Sequence, residues 1–189
     1  MSLHADAVQV LNAWNGPDDA QEMLRRDYLE VLDREPEAMW RSCLPDHLTA
    51  SAVVLSHDGS SALLTLHLKA GLWLQTGGHC EPQDRTLAGA ALREAREESG
   101  IADLTIDPVP LLLSRHAVPF CGGGTGERVT HHLDVQFLAV APPGAQAVIS
   151  EESADLRWFG PGDVVEPSDD DVRRLIGSAR TRLRGTPAP

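Results

Sequence analysis

The segment GGHCEPQDRTLAGAALREAREESGI, from Gly77 to Ile101, decides how this chain is read. It opens with two glycines and runs into a helix predicted from Arg85, with Asp84 as N-cap and Leu87, Ala88, Ala91, Leu92 and Ala95 as the apolar stripe that faces a sheet. Gly100 supplies the left-handed cap that ends it. Gly89, inside the helix, costs about 1 kcal/mol against alanine, which predicts a close approach by another backbone. Near the C-terminal end, Glu94 faces Glu97 and Glu98 at helical spacing, where like charges repel by about 0.2–0.5 kcal/mol per pair. The negative pole of the helix dipole lies there too and disfavours each carboxylate by about 0.3–1 kcal/mol. A hard divalent cation reverses both penalties, because an ion such as magnesium takes carboxylate oxygens in octahedral geometry and shares them with phosphates.

As a bare charge run, the same residues could form a solvated face partly neutralised by Arg93 and Arg96. Their order argues for more. Arg93-Glu94-Ala95-Arg96-Glu97-Glu98-Ser99-Gly100-Ile101 resembles the core of the Nudix box and matches every fixed position from Arg93 onward. Upstream the pattern departs: after Gly78 and five residues stands Asp84 where the box has Glu, and eight residues rather than seven separate Asp84 from Arg93. The stretches His47–Leu55, Leu63–His67 and Trp73–His79 are similar to a bacterial subgroup of the same family.

The resemblance implies a Nudix-type α/β/α sandwich with a mixed sheet over about residues 48–165. It implies magnesium or manganese as cofactor, held by Glu94, Glu97, Glu98 and a carbonyl of Gly77. Arg93 is expected to orient the site by tying down a neighbouring carboxylate or loop carbonyl, and Gly77 and Gly78 to let the backbone come close to the metal. Glu151 and Glu152 precede Ser153–Phe159, similar to the acidic loop residue followed by a tryptophan strand in many family members, so Glu152 is a candidate fifth ligand or general base. The catalytic set implied is Arg93, Glu94, Glu98 and Glu152, with Glu94 or Glu152 taking the proton from the attacking water. The reaction is hydrolysis of a diphosphate linkage in a nucleoside diphosphate joined to another moiety. Two alternatives stay open. One is a non-catalytic, ligand-sensing Nudix-like domain; the other is an isopentenyl-diphosphate isomerase-like enzyme in which Cys43 or Cys80 would act with a glutamate.

Composition narrows the partners. The chain has 189 residues, enough for one domain with an extension, and a formal net charge of −12. That charge argues against nucleic-acid or anionic-membrane binding, either of which needs a basic face. A small polyanionic substrate must therefore meet local cations, metal first; a homodimer is left open. Lys69 is the sole lysine, and no phosphate-cradling loop ending in Gly-Lys-Ser/Thr occurs. Cys43, Cys80 and Cys121 form no Cys-x-x-Cys pair, which reads as a reducing, cytoplasmic setting. Neither a membrane span nor a signal peptide is expected from the apolar runs.

Three zones follow along the chain: an N-terminal helical extension (1–45), the catalytic domain (46–165), and a C-terminal helix and tail (166–189). Helices are predicted up to Asn15-Gly16-Pro17 and from Asp18 to Arg34, and strands at 50–55, 62–68, 72–74, 104–106, 111–118, 130–140 and 155–159, with a last helix over 169–184. Gly122–Gly126 joins two strands rather than opening a helix, which predicts a hairpin loop. Adjacent His131 and His132 face opposite sides of a strand, His131 packed with Leu133, Val135 and Phe137, and His132 beside Asp134 and Gln136 on a side that is either a pocket or solvated. His47, His67 and His116 read as surface or core histidines, and His79, in the metal loop, is undecided between packing and function.

Overall fold

The computed structural model describes residues 1–118, 129–150 and 153–185. Its apolar runs assemble into one mixed sheet of β1 (Asp46–Leu55), β2 (Ala62–His67), β3 (Trp73–Leu74), β4 (Thr76–His79), β5 (Thr105–Ala117), β6 (His131–Val140) and β7 (Ser153–Phe159). The order is β3-β2-β1-β6-β5, with β4 also on β1 and β7 on β2. β1 runs parallel to β6 from Asp46 opposite His131 to Leu55 opposite Val140. Its other edge is shared between β4, along Thr49–Ala52, and β2, at Val54 and Leu55, both antiparallel. Central and covered on both faces, β1 is buried from His47 onward, as its near-continuous apolar sequence requires.

Among the described residues four helices cover this sheet: α1 (Leu3–Ala13), α2 (Asp19–Arg34), α3 (Leu87–Ser99) and α4 (Asp170–Gly185). Alternation along the strands sends Leu48, Ala50, Ala52, Leu133, Val135 and Phe137 into one core with α1, α2 and α3. Val53, Leu55 and Leu138 enter a second core with Val172, Leu175, Ile176 and Ala179 of α4. Helices on both faces of a mixed sheet are the α/β/α sandwich that the sequence implied. The two N-terminal helices are tied into it: Asp6 of α1 accepts the Leu87 N–H at 2.8 Å, capping α3 from outside. Gln21 of α2 pairs with the Leu113 backbone in both directions, at 2.9 and 2.7 Å.

Several local expectations are corrected. The glycine pair and His79, read from the sequence as part of the metal loop, lie in a strand, β4. The two strands expected at 104–106 and 111–118 are one, β5, whose register with β6 shifts between Asp107 and Leu112. Pro108 and Pro110 sit at that shift, tolerated because β5 is outermost and loses little ladder bonding there. α3 starts at Leu87, not Arg85, and its N-cap is Thr86, whose hydroxyl accepts the Gly89 N–H at 3.0 Å. Asp84 does not cap because its carboxylate is engaged by Arg93. A Cβ on Gly89 would stand 2.8 Å from the Thr86 hydroxyl, so that glycine makes room for the cap and not for another backbone. Gly100 closes the helix as expected, at φ 68°. The glycine-rich loop at 122–126, Glu152 and the last four residues lie outside the described residues.

Candidate active site

The C-terminal half of α3 meets β4 through the side chains of Glu94 and Glu98, with no side chain on the β4 side. The Gly77 N–H donates to Glu98 Oε1 at 2.8 Å. A Cβ on Gly78 would stand 2.8 Å from the carboxyl carbon of Glu94. Gly77 is needed for a different reason: its φ is +157°, and a Cβ there would overlap the Cβ of Ser51 across the β1–β4 pair. The two glycines thus serve two layers, one against β1 and the other against the carboxylates of α3.

Arg93 holds this corner together. Its Nε and Nη2 donate to the two oxygens of Asp84 at 3.2 and 3.0 Å, and Nη2 also donates to the His79 carbonyl at 3.0 Å. On the other side, Nη1 reaches Glu94 at 3.0 Å and Glu97 at 3.1 Å. Burial works against the guanidinium charge, but Asp84 and Glu94 outweigh it and raise the pKa above the ordinary arginine value. The extra residue between Asp84 and Arg93 is therefore absorbed before the helix: the acidic position still meets the box arginine, and Asp84 also accepts the Glu81 N–H at 2.8 Å. With side chains 16% and 5% exposed, Arg93 and Asp84 form a largely buried pair, and removing one partner of such a pair costs about 3–5 kcal/mol.

The donors gathered here are carboxylate oxygens and strand backbone. That set suits magnesium or manganese better than zinc, and Glu94, Glu97 and Glu98 with Gly77 are the residues that would hold such an ion. Glu97 is the outermost, its side chain 59% exposed. Of the two described cysteines, Cys80 beside this corner is buried, and burial, then Asp84, pushes its thiol up to about 12. Burial raises Cys43 as well. A reactive thiolate needs the opposite shift.

On the other face of the sheet the structure brings together residues that sequence reasoning had separated. The rings of His47, His79 and His132 have centroids 4.9–5.2 Å apart, and His116 lies 5.4 Å from His132. Burial lowers the pKa of all three, His79 to about 4 and His132 to about 3 with the neighbouring histidines adding to the effect, so they are neutral at neutral pH. The side that His132 shares with Asp134 and Gln136 is buried, not solvated. Asp134 there accepts hydrogen bonds from Thr49 at 2.9 Å and Ser51 at 2.6 Å. His131 is not packed as expected; it is 30% exposed and sits 3.0 Å from Asp46. Only strand register could have revealed the histidine row, and a single sequence does not carry it. A cavity of about 410 Å³ opens elsewhere, between the Ser56–Ser61 turn and Pro142–Ala145, and no box carboxylate lines it.

Comparison with known proteins places this corner in a family. Residues 45–176 match the model of the NUDIX domain. Over 147 residues the chain is 29% identical to the bovine (Bos taurus) m7GpppN-mRNA hydrolase NUDT17, covering 69% of this chain and 48% of that protein. The chain thus spans about half the length of that relative. Among solved structures, the Escherichia coli dihydroneopterin triphosphate pyrophosphohydrolase has a TM-score of 0.57 at 19% identity, covering 71% of this chain and 95% of the other. The Caenorhabditis elegans Ap4A hydrolase gives 0.56 at 20% identity, with 74% and 98% covered. The NUDIX domain of Shewanella oneidensis NrtR, complexed with ADP ribose, gives 0.52 at 25% identity, with 82% and 97% covered. The glycine strand, the box helix pressed against it and the match over most of the chain have one reading: this protein belongs to the NUDIX domain family, whose hydrolases act on phosphorus-containing acid anhydrides.

Proposed function

We propose that the chain is a metal-dependent pyrophosphohydrolase that cleaves a diphosphate linkage in a nucleoside diphosphate-linked or related small molecule. The observation that supports this reading is the contact of Glu94 and Glu98 with the glycine strand, which sets two carboxylates beside backbone at the negative end of α3, where helix dipole and like-charge spacing both disfavour them. When bound, magnesium or manganese supplies positive charge for the diphosphate oxygens and for the attacking water. Glu94, Glu97, Glu98 and the Gly77 backbone would hold the ion. Arg93 is a positioning residue, since its fork fixes Glu94 and, through the His79 carbonyl, the end of β4. Glu152 or Glu94 accepts the proton of the water.

A small diphosphate rather than a nucleic-acid chain fits the net charge of −12. The relatives' named ligands, Ap4A, dihydroneopterin triphosphate and ADP ribose, are all phosphoanhydrides, which supports the substrate class without choosing within it. Among the described residues no helix is long and apolar enough to cross a membrane; a cytoplasmic setting belongs to the same proposal, as does the division into extension (1–45), catalytic domain (46–165) and C-terminal helix (166–189). The test is hydrolysis, followed by chromatography of the nucleotide and phosphoester products, of a panel of nucleoside triphosphates, dinucleoside polyphosphates, nucleotide sugars and alcohol diphosphates. Turnover should vanish with a chelator and return with magnesium or manganese. Activity fully retained after exhaustive chelation, or no turnover of any compound, would contradict the reading.

A further inference from the structure

Sheet register sets His116 of β5 opposite His132 of β6, and His132 opposite His47 of β1. It also sets His79 of β4 opposite Thr49, one pleat along from His47. Because side chains alternate along a strand, all four histidines share one face, the face opposite the α3 carboxylates. Within this row, one ring nitrogen from each of His47, His79 and His132 lies within 4.8 Å of the other two.

Two details point to a ligand rather than to packing. His132 Nε2 is buried and has no hydrogen-bond partner among the described residues, a condition that calls for an ion or a water. His47, fully buried, has Nδ1 3.0 Å from the Cys43 carbonyl. A carbonyl only accepts, so Nδ1 carries the proton in this contact. Metal-binding histidines are oriented in this way, by a backbone carbonyl on the far nitrogen.

We propose that His47, His79 and His132 form a second metal site, separate from the carboxylates, for a borderline divalent ion such as zinc. Imidazole nitrogens suit zinc, nickel and copper, while magnesium keeps to oxygen. A tetrahedral zinc about 2.0–2.1 Å from each nitrogen sets them about 3.4 Å apart, so binding draws in the widest pair through ring rotation. Three protein nitrogens account for three of the four tetrahedral positions, and His116 is the histidine next to His132 in the row. His79 links this site to the hydrolytic one: its ring belongs to the histidine row, and its carbonyl is held by Arg93 at 3.0 Å. Occupancy of the histidines therefore steadies the end of β4 from one face while Arg93 steadies it from the other.

The experiment uses the full chain, stripped with a chelator, dialysed and titrated with cobalt(II) in excess magnesium, so that the oxygen donors see magnesium. The expected result is one equivalent of cobalt bound with the strong visible absorption of a nitrogen-rich, low-coordinate ion, displaced by zinc. His132→Gln and His79→Gln should each weaken cobalt binding at least about tenfold, and Glu98→Gln should leave the band in place. Circular dichroism of the metal-free variants checks folding, and if His132→Gln does not fold, half-buried His79→Gln decides. No band in the wild type, or a band that survives both histidine changes with unweakened cobalt binding, would overturn the second site.

Discussion

Glu94, Glu97 and Glu98 come from little more than one turn of α3, whereas His47, His79, His116 and His132 come from four strands and are up to 85 positions apart for the His47–His132 pair. The first cluster is made of carboxylate oxygens near the C-terminal end of a helix; the second is made of imidazole rings on strands of the sheet. Local spacing alone makes the carboxylates unfavourable, so their cost is visible before any fold is known. The histidines conflict with nothing until β1, β4, β5 and β6 are laid side by side. Clusters built within one helix can be read as chemistry from the chain, and clusters built across a sheet cannot.

If hydrolysis belongs to the carboxylate side, the largest effect should come from its base. Glu152→Gln is expected to lower turnover by about 10²–10⁴-fold with little change in magnesium affinity, the range for loss of a general base. A near-normal rate in steady-state assays would move that role to Glu94. Next comes the residue that joins the two faces. Arg93→Gln should lower activity by about 10–100-fold and also lower the melting temperature, because Asp84 loses its buried partner. An unchanged melting temperature would show that the ion pair contributes nothing to stability.

The glycine pair sharpens the distinction between layers. Gly77→Ala forces a methyl group into Ser51 of β1 and should destabilise by about 1–3 kcal/mol or more, as overpacking does. Gly78→Ala meets only the movable end of Glu94, so it should melt closer to wild type while requiring more magnesium for half-maximal activity. The reverse order in thermal melts would contradict the assignment. The smallest effect concerns Cys80. With its thiol pushed up to about 12 from an ordinary 9.0, it stays protonated at pH 8, and alkylation should occur only when the protein unfolds. The sign of the linkage is that this group favours the folded state below about pH 9 and loses that contribution as pH rises through about 12. Rapid labelling of the native protein, read by mass spectrometry, would revive thiol chemistry at this corner.

Much of the frame was legible from pattern. The second helix starts next to Asp18 and Gly100 ends α3, both as predicted, and the alternation in Leu48–Leu55 and Leu133–Val140 separates two cores. Thr86 displaced Asp84 as the cap because a residue nine positions away, Arg93, competes for the Asp84 carboxylate, and that tertiary contact has no local signature. Gly89 misled for a related reason: a glycine reports that space is needed but not which atom needs it. The carboxylates on α3 stand out by helical spacing, whereas the pairing of Asp84 with Arg93 has no signal in the local sequence. His47 and His116 were missed because each looks ordinary inside its own strand.

The central claim is that Glu98 and its neighbours gather to meet a cation and not to stabilise the helix. It is tested most directly by melting wild type and Glu98→Gln with and without magnesium. Glutamine keeps an oxygen for the Gly77 N–H and removes the repelling charge, so the metal-free variant should melt at or slightly above the wild-type temperature. A ligand that binds only the folded state adds about 2.7 kcal/mol at a hundredfold excess over its dissociation constant, so wild type should rise clearly with magnesium and the variant should not. A variant that is markedly less stable without metal and still shows the full magnesium shift would mean that the carboxylates serve the fold, and the hydrolytic reading would lose its foundation.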